Sequence, residues 1–320
     1  MKPVVPFEPV RRDVVPPGSD WLHQIKWDGV RILAYADSSS KQLFNRKKRE
    51  RTHHYPELTA HPICRVSSYI VDGEVIALGT DGKPSFPLVM KRDGLRRLQR
   101  VPEVQRTVPI VYMVFDLLYV NGKWIIDRPL EERLDTLQRI IVPDKTVQPV
   151  SSHTDGEALF AATREHGLEG IVSKRLGQSY VLNGKDDRWV KIKHYRELEA
   201  VIGGFTLNGS IVNAVLLGLY DRKGHLRFIG KAGTARWTKA DWQRLTEVLL
   251  AIRQDQSPFL EHHPEMRGAQ WTQPSIVVRV RYSEWRRHEG RLLRQPSLQG
   301  FVSKPAKQCT LDATDDDRLR

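Results

Sequence analysis

A single lysine stands beside a turn-like dipeptide and between two short apolar runs. Lys26 comes just before Asp28-Gly29, and residues 21–22 and 32–36 on either side are apolar or aromatic. Two strands joined at Asp-Gly predict a β-hairpin. A lysine next to such a turn is most often an exposed surface cation. This segment therefore has to form a strand, a short connection and a second strand, and the remaining sequence must show whether Lys26 has a chemical role.

Charge and length narrow the classes of protein to consider. The chain has 320 residues, with 51 Lys or Arg against 38 Asp or Glu, which gives a net charge of +13. A positive surplus favours a polyanionic partner such as a nucleic acid, and the length predicts two domains. No apolar run reaches the roughly 18 residues of a membrane-spanning helix, and no signal-peptide core opens the sequence. The two cysteines form no disulfide framework or zinc motif, so we expect a cytoplasmic protein with no membrane partner.

Acidic side chains interrupt apolar, β-branched segments at several points. Glu74 stands in the run 68–78, and Glu169 opens another such run. A charge in a buried strand is costly unless it is paired or bound to a cation, so both acids need partners. Phe115 lies in a third apolar run that ends at Asn121-Gly122, which is a hairpin signal. Core packing is the simplest role for this phenylalanine.

Basic side chains follow two patterns in the first half of the chain. Residues 188–194 alternate strictly, which places Lys191 and Lys193 on one face of a strand. A half-exposed strand without any ligand would show the same alternation. The dense basic run 44–51, which includes Arg46, fits a solvated loop and a phosphate-contacting loop equally well.

The pattern changes after Glu197. Short β-rich segments follow, joined by turns rich in Gly, Asn and Asp, as in a small barrel. A helix interrupts them, and Thr238 and Asp241 are spaced as a capping box at its start. Arginines within 279–294 give this half a basic side. We predict a first domain over 1–197, a second over 198–312 and a disordered tail over 313–320.

Five segments, taken in order, resemble the motifs of the ATP-dependent DNA ligases within the covalent nucleotidyltransferase superfamily. They are Lys26-Trp27-Asp28-Gly29-Val30-Arg31, Asp72-Gly73-Glu74, Phe115-Asp116, Glu169-Gly170-Ile171-Val172 and Lys191-Ile192-Lys193. In particular, the chain is similar to small bacterial ligases and ligase modules associated with non-homologous end joining. The resemblance implies an α+β protein in which a mixed α/β nucleotidyltransferase (adenylation) domain precedes a smaller β-barrel OB-fold domain.

The resemblance implies a reaction that passes through a lysyl-AMP intermediate. Lys26, as a neutral amine, would attack the α-phosphorus of ATP, while Lys191 and Lys193 would hold the α-phosphate. Neighbouring cations or a bound divalent metal are expected to lower the pKa of Lys26. AMP would then pass to the 5′-phosphate of a nick, and the 3′-hydroxyl would displace it.

Binding roles also follow from the resemblance. Arg31 and Glu74 would contact the ribose, and Phe115 would stack on adenine. Arg46 would approach a nucleotide phosphate or the DNA 5′-phosphate. Glu169 would hold hydrated Mg²⁺ or Mn²⁺ through its carboxylate. The implied nucleotide-binding set is Gln24, Ile25, Arg31, Arg46, Glu74, Phe115, Lys191 and Lys193, and the implied metal set is Glu169, Glu74 and Asp28.

Two positions depart from the family pattern. Relatives often carry glutamate where this chain has Gln24, although the glutamine carbonyl could still accept a hydrogen bond from the adenine amino group. Near the C-terminus many relatives carry an Arg-x-Asp-Lys-like segment that orients pyrophosphate. Here residues 300–305 offer only Lys304 as a counterpart. Self-adenylation is therefore expected to be slow unless another basic residue serves.

Nicked duplex DNA is the expected substrate, and the expected further partners are a Ku-like end-binding protein and a repair polymerase. We expect a monomer associated with the bacterial nucleoid. An RNA ligase or an mRNA-capping guanylyltransferase would share Lys26 and the paired lysines, but capping enzymes more often carry aspartate at the position of Glu169. A non-catalytic OB-fold nucleic-acid binder with an inactive nucleotide pocket is the alternative from another class.

Overall fold

The computed structural model describes residues 1–233, 237–285 and 292–312. The chain divides into two compact units, of which the first runs from Met1 to His194 and the second begins at Tyr195. Arg286, Arg287 and Arg291 lie outside the described residues, and so does the tail over 313–320.

Ten strands and five α-helices build the first unit. The strands are β1 (Val10–Arg11), β2 (Trp21–Ile25), β3 (Val30–Ala36), β4 (Lys41–Asn45), β5 (Tyr69–Ile76), β6 (Val111–Val120), β7 (Lys123–Trp124), β8 (Val147–Pro149), β9 (Gly170–Arg175) and β10 (Trp189–Lys193). The helices are α1 (Pro56–Ala60), α2 (Phe86–Asp93), α3 (Val101–Thr107), α4 (Leu130–Ile140) and α5 (Gly156–Glu165).

The strands form two sheets that face each other. One has the order β1-β10-β9-β2, and the other has the order β4-β3-β5-β6-β7 with β8 beside β6. Leu33, Ile70 and Trp189 belong to the buried cluster between the two sheets. Apolar residues on the outer side of the six-stranded sheet, such as Val71, pack with α1, α2 and α4, and Ile192 on the outer side of the four-stranded sheet packs with α5. The first unit is therefore built of helix, sheet, sheet and helix layers.

The hairpin predicted at Asp28-Gly29 is wrong. Strand β2 pairs with β9, whereas β3 pairs with β4 and β5, so the connection crosses from one sheet to the other. Gly29 serves a close approach, because a Cβ there would lie 2.1 Å from the carbonyl oxygen of Val75. The hairpin predicted at Asn121-Gly122 is confirmed: β6 and β7 pair antiparallel, and the two turn residues have φ of 49° and 83°, as a type I′ turn requires.

The second unit is a curved β-sheet with one long helix. Its strands are β11 (Arg196–Asn208), β12 (Ile211–Tyr220), β13 (Leu226–Ala232), β14 (Arg253–Gln254), β15 (Gln270–Thr272), β16 (Val277–Tyr282) and β17 (Ser297–Val302), and its helix is α6 (Lys239–Ala251). Strand β11 pairs with β12, with β15 and with β16, and its ladder with β12 is interrupted after Ile202 and after Thr206. Such irregularities bend a strand, and the unit is the OB-fold predicted from the sequence.

The capping box predicted for the helix of the second unit is confirmed. Thr238 is the N-cap of α6, its side chain accepts from the backbone of Asp241, and the Asp241 carboxylate accepts in return from the N-cap backbone. Within the part of the chain that the structure describes, no helix is long and apolar enough to cross a membrane.

Candidate active site

Lys26 lies at the end of β2 and contacts an acid that is 143 positions away in the sequence. Its Nζ donates to Oε2 of Glu169 at 2.5 Å, and Nζ of Lys193 lies 2.5 Å from the other carboxylate oxygen, Oε1. The three side chains are 21%, 12% and 12% exposed, respectively. One carboxylate thus bridges two ammonium groups, and the structure brings together three residues that the motifs had grouped.

Backbone pairing explains how these groups meet. The amide of Lys26 donates to the carbonyl of Gly170 at 2.9 Å, which extends the β2–β9 ladder by one residue. Gly170 stands opposite Lys193 in the β9–β10 ladder. Its φ is 139°, and a Cβ at this position would lie 2.1 Å from the carbonyl oxygen of Ile192. Only glycine fits there, because the φ is unfavourable for other residues and no side chain has room.

The inner face of the four-stranded sheet carries three rows of side chains across β2, β9 and β10. Alternation places every second residue of each strand on this face, which is the face that Phe115 of β6 contacts through Trp189 and Lys174. The rows are Lys26, Gly170 and Lys193; then Gln24, Val172 and Lys191; then Leu22, Lys174 and Trp189.

The pKa of Lys26 is raised, which corrects the expectation that its neighbours would lower it. Burial alone would lower this pKa, but the negative charges of Glu169, Glu74 and Asp28 outweigh burial. Conversely, burial would raise the pKa of Glu169, but Lys26 and Lys193 lower it. In this state the two groups form a salt bridge, and Lys26 is a protonated ammonium. The sequence could not show this because it did not reveal that Glu169 contacts the lysine directly.

The pKa of Lys191, which lies on the same sheet face as Lys26 and Lys193, is lowered. Burial has the largest effect, and the positive charges of Lys26 and Lys193 add to it. The negative charge of Glu8 opposes these effects without outweighing them. The inner face therefore presents three lysines within electrostatic range of one another, a distribution that suits a phosphate group.

Arg31 and Glu74 are neighbours on β3 and β5, as cross-strand partners. The Arg31 guanidinium binds both carboxylate oxygens of Asp72, at 2.9 and 2.6 Å, and donates to the Phe7 carbonyl at 2.6 Å and to the Tyr180 hydroxyl at 3.2 Å. Burial raises the pKa of Glu74 to about 7, against the opposing charges of Lys26 and Arg31. Arg31 is thus mostly engaged within the protein, which its position in the motif did not reveal.

Phe115 occupies an irregular position of β6. Asp72 pairs with Asp116 and Gly73 pairs with Val114, so Phe115 is the extra residue of a β-bulge. Bulges redirect side chains. The Phe115 ring lies 5.3 Å from the Arg31 guanidinium carbon and packs edge-on against Trp189, with 6.2 Å between ring centroids.

The predicted metal ligands do not form a ready-made site. Within residues 1–233, 237–285 and 292–312, no three His, Cys, Asp or Glu side chains converge as metal ligands. Glu169 has both oxygens on lysines, while Glu74 and Asp28 act on Lys26 through their charges. Magnesium commonly binds through one or two carboxylates together with substrate phosphates. These acids fit that mode and do not fit an all-protein cage.

Three predicted positions make contacts other than those of Lys26, Glu169 and Lys193. Ile25 faces the opposite side of β2 and packs in the cluster against α5, so only its backbone is available on the inner side. Arg46 has a side chain that is 62% exposed, and its Nη1 lies 3.6 Å from Glu8. In the second unit, Lys304 donates to Glu199 at 2.9 Å.

Buried charges lie behind Phe115, and the site residues predicted from the sequence did not include them. Lys174 is 1% exposed, its Nζ donates to the Phe115 carbonyl at 2.9 Å, and the same atom lies 4.6 and 4.1 Å from the centroids of the Phe115 and Trp189 rings. Next to it, Asp116 and Arg133 form a fully buried bidentate pair at 2.8 and 3.0 Å. A lysine at an alternating position inside a β-branched strand was the available sequence signal.

Lys174 should make stability depend on pH. Burial lowers its pKa from 10.5 to about 7, so between pH 7 and 10 the unfolded chain binds a proton there that the folded chain does not. The free energy of unfolding should therefore rise with pH over this window, by about 1 kcal/mol per pH unit. Lys174→Met should remove this slope in urea unfolding at pH 7, 8 and 9. Parallel pH profiles for the wild type and the variant would contradict the prediction.

Sequence comparisons match both halves of the chain. Residues 8–193 match the ATP dependent DNA ligase domain, and residues 208–303 match the ATP dependent DNA ligase C terminal region. The multifunctional non-homologous end joining protein LigD of Mycobacterium bovis is 33% identical over 290 residues, which is 88% of this chain and 36% of that protein. The chain thus spans about a third of the length of this relative.

Solved structures give the same result. The crystal structure of the ligase domain of M. tuberculosis LigD is 30% identical, with a TM-score of 0.52, and the match covers 96% of this chain and 98% of that one. A mycobacterial DNA ligase D complexed with ATP and MES is also 30% identical, with a TM-score of 0.53 and the same coverage. The match to the ligase domain over more than half of the sequence, together with the matching C-terminal region, shows that the chain belongs to the ATP-dependent DNA ligases.

Proposed function

We propose that this chain seals nicks with a 5′-phosphate and a 3′-hydroxyl in duplex DNA, using ATP and a covalent lysyl-AMP intermediate on Lys26. The observation that carries the proposal is the pair of ammonium groups, Lys26 and Lys193, on the two oxygens of Glu169. The primary amine of Lys26 is suited to attack a phosphate once Glu169 exchanges its hydrogen bond to this amine for another partner. The neighbouring cation, Lys193, is suited to stabilise the charge that develops.

In the first step Nζ of Lys26 forms a bond to the α-phosphorus of ATP, and the bond to the bridging oxygen of pyrophosphate breaks. The ammonium must lose a proton first, and that proton lies in the hydrogen bond to Glu169. In this proposal Lys191 and Lys193, which lie one row apart on the inner face, hold the α-phosphate oxygens. In the later steps AMP moves to the 5′-phosphate, and the 3′-hydroxyl then displaces it.

The binding roles are part of the same proposal. Phe115 stacks on adenine, Glu74 binds the ribose, and Arg46 binds a nucleotide phosphate or the DNA 5′-phosphate. Arg31 uses four of its five N–H groups on protein partners, which leaves one N–H of Nη1 for the ribose. Ile25 contributes backbone atoms, and Gln24 faces the base.

Glu169, with Glu74 and Asp28, would hold Mg²⁺ or Mn²⁺ beside the phosphates. Such an ion supplies charge neutralisation and Lewis acidity at a phosphoryl group. The negative charges of these three acids raise the pKa of Lys26. The side chains that keep the lysine protonated are therefore the same ones that would bind the metal ion.

The biological setting is proposed from the relatives. We propose an adenylation domain over 1–197 and an OB-fold domain over 198–312, acting on nicked duplex DNA in repair by non-homologous end joining. A monomer associated with the nucleoid, with a Ku-like end-binding protein and a repair polymerase as partners, completes the proposal. The support is the LigD relatives, which are named for non-homologous end joining.

Nick sealing tests the function. We expect the purified chain, with ATP and Mg²⁺, to join a labelled strand across a nick that has a 5′-phosphate. It should leave the same duplex unjoined when the 5′-phosphate is missing, because AMP then has no acceptor. A chain that binds the duplex but joins neither substrate would fit a non-catalytic binder and would overturn the proposal.

A further inference from the structure

Glu8 is an acidic side chain that lies between two cations from distant parts of the sequence. Its Oε1 lies 3.6 Å from Nη1 of Arg46, and its Oε2 lies 3.9 Å from Nζ of Lys185. Both distances are longer than the roughly 2.7–2.9 Å of a charge-assisted hydrogen bond. Each carboxylate oxygen therefore faces a different cation at a distance that allows electrostatic attraction and leaves the contact loose.

The backbone holds Glu8 in this position. The Glu8 amide donates to the carbonyl of Gly184 at 2.8 Å, next to Lys185. The preceding residue, Phe7, is fully buried, and its amide donates to the Tyr180 hydroxyl at 3.0 Å. The N-terminal segment is thus fixed to the loop that carries Lys185. A competing anion can displace the carboxylate by rotating the side chain, without any movement of the backbone.

The Glu8 carboxylate lies on the side of the first unit that carries the site lysines. The negative charge of Glu8 acts to raise the pKa of Lys191, and the positive charge of Lys185 acts to lower it. Both groups are therefore within electrostatic range of the inner face of the four-stranded sheet. In addition, the Phe7 carbonyl accepts from Arg31 at 2.6 Å. The residue before Glu8 is thus in direct contact with the proposed nucleotide site.

We propose that Arg46 and Lys185 together form a phosphate site, that the Glu8 carboxylate occupies this site in the absence of substrate, and that a substrate phosphate displaces it. Carboxylates and phosphates both bind guanidinium and ammonium groups. A terminal phosphate carries more charge and more acceptor oxygens than a carboxylate, so it can bind both cations more closely than Glu8 does. This inference rests on the proposed function, in which Arg46 binds a phosphate.

Two substrates carry a phosphate of this kind, and two measurements distinguish them. ATP carries its β- and γ-phosphates, and the nick carries its 5′-phosphate. The first measurement is the ATP concentration at which the lysyl-AMP adduct forms at half its maximal rate. The second is equilibrium binding, without ATP or Mg²⁺, of nicked duplexes that end in either a 5′-phosphate or a 5′-hydroxyl. An effect confined to one measurement identifies the source of the phosphate.

Glu8→Gln should strengthen phosphate binding, because it removes the competing charge and keeps the size of the side chain. We expect the half-maximal ATP concentration, or the ratio of the Kd values for the 5′-phosphate and 5′-hydroxyl duplexes, to fall about threefold or more. Lys185→Gln should raise the same quantity about threefold or more. Glu132→Gln is the matched control, because it removes an equal charge from an exposed position of α4. It should change neither quantity.

A double variant tests whether the phosphate displaces Glu8. Lys185→Gln should weaken phosphate binding more in the Glu8→Gln background than in the wild type, because the wild-type lysine must first give up its ion pair with Glu8. Equal losses in the two backgrounds would show that Glu8 only repels the phosphate, and they would overturn the displacement.

The outcomes also separate this inference from the function on which it rests. If Glu8→Gln and Glu132→Gln give the same half-maximal ATP concentration and the same ratio of Kd values, the phosphate site is overturned and the ligase proposal stands. If the wild type forms no adduct with ATP, the proposed function is overturned. Binding of the two nicked duplexes does not require adduct formation, so it would still decide whether Glu8 competes with a phosphate.

Discussion

Replacing Lys26 with alanine should abolish both the labelled adduct with ATP and nick sealing, by on the order of 10⁴-fold or more. The reason is that the covalent bond to AMP forms on this side chain, so no other group can carry the intermediate through the later steps. Stability should change little, because Glu169 keeps its second ammonium partner, Lys193. The measurement is gel-based sealing of a 5′-phosphate nick together with urea unfolding of the same preparation.

A matched control for that variant is Lys145→Ala. Lys145 is an exposed lysine of the same unit and follows Asp144 in the sequence. It does not belong to the inner face of the four-stranded sheet. We expect wild-type labelling and sealing from this control. Sealing by Lys26→Ala at a rate close to that of Lys145→Ala would rule out Lys26 as the nucleophile.

Among single substitutions of the buried charges behind Phe115, Asp116→Ala should be the most destabilising. Arg133 is fully buried and directs Nε and Nη2 at Asp116, while Nη1 donates to the carbonyls of Arg128 and Gln178. Removing the carboxylate leaves a buried charge with two unpaired donors, which costs about 3–5 kcal/mol. Urea unfolding should show a correspondingly earlier transition for the first unit.

Two further variants test the origin of that loss. Asp135→Ala removes an exposed acid from α4, the helix that carries Arg133, and should change the free energy of unfolding by no more than about 0.5 kcal/mol. The double variant Asp116→Leu/Arg133→Met removes both charges and should recover part of the stability that Asp116→Ala loses. A loss below about 1 kcal/mol for Asp116→Ala would show that water or another group compensates the arginine.

The positions of several strands could be predicted from the sequence because strand formation depends on residues within a few positions of each other. Alternation over 188–194 predicted β10, and Asn121-Gly122 predicted the hairpin that joins β6 and β7. The same local reasoning failed at Asp28-Gly29, where turn chemistry suggested a hairpin. There β2 pairs with β9, more than a hundred positions later, and no local signal can report such a partner.

The chemistry of the site could be predicted only in part, because it also depends on contacts between residues that are distant in the sequence. The motifs predicted that Lys26, Glu169 and Lys193 act together, and the structure places them in contact. The neighbouring side chains raise the pKa of Lys26 rather than lowering it, because Glu169 contacts the lysine directly, and the sequence does not reveal that contact. Lys174 was missed because its contacts are with Phe115 and Trp189 on other strands, and the motifs do not report these contacts.

Peptide mapping after incubation with ATP and Mg²⁺ tests the nucleophile most directly. The protein is digested at neutral pH, because a phosphoramidate is labile in acid, and the site of the adenylyl group is read by tandem mass spectrometry. We predict one AMP on the peptide that contains Lys26 and none on the peptide that contains Lys191 and Lys193. AMP on either of those two lysines, or no AMP on any peptide, would contradict the assignment of Lys26.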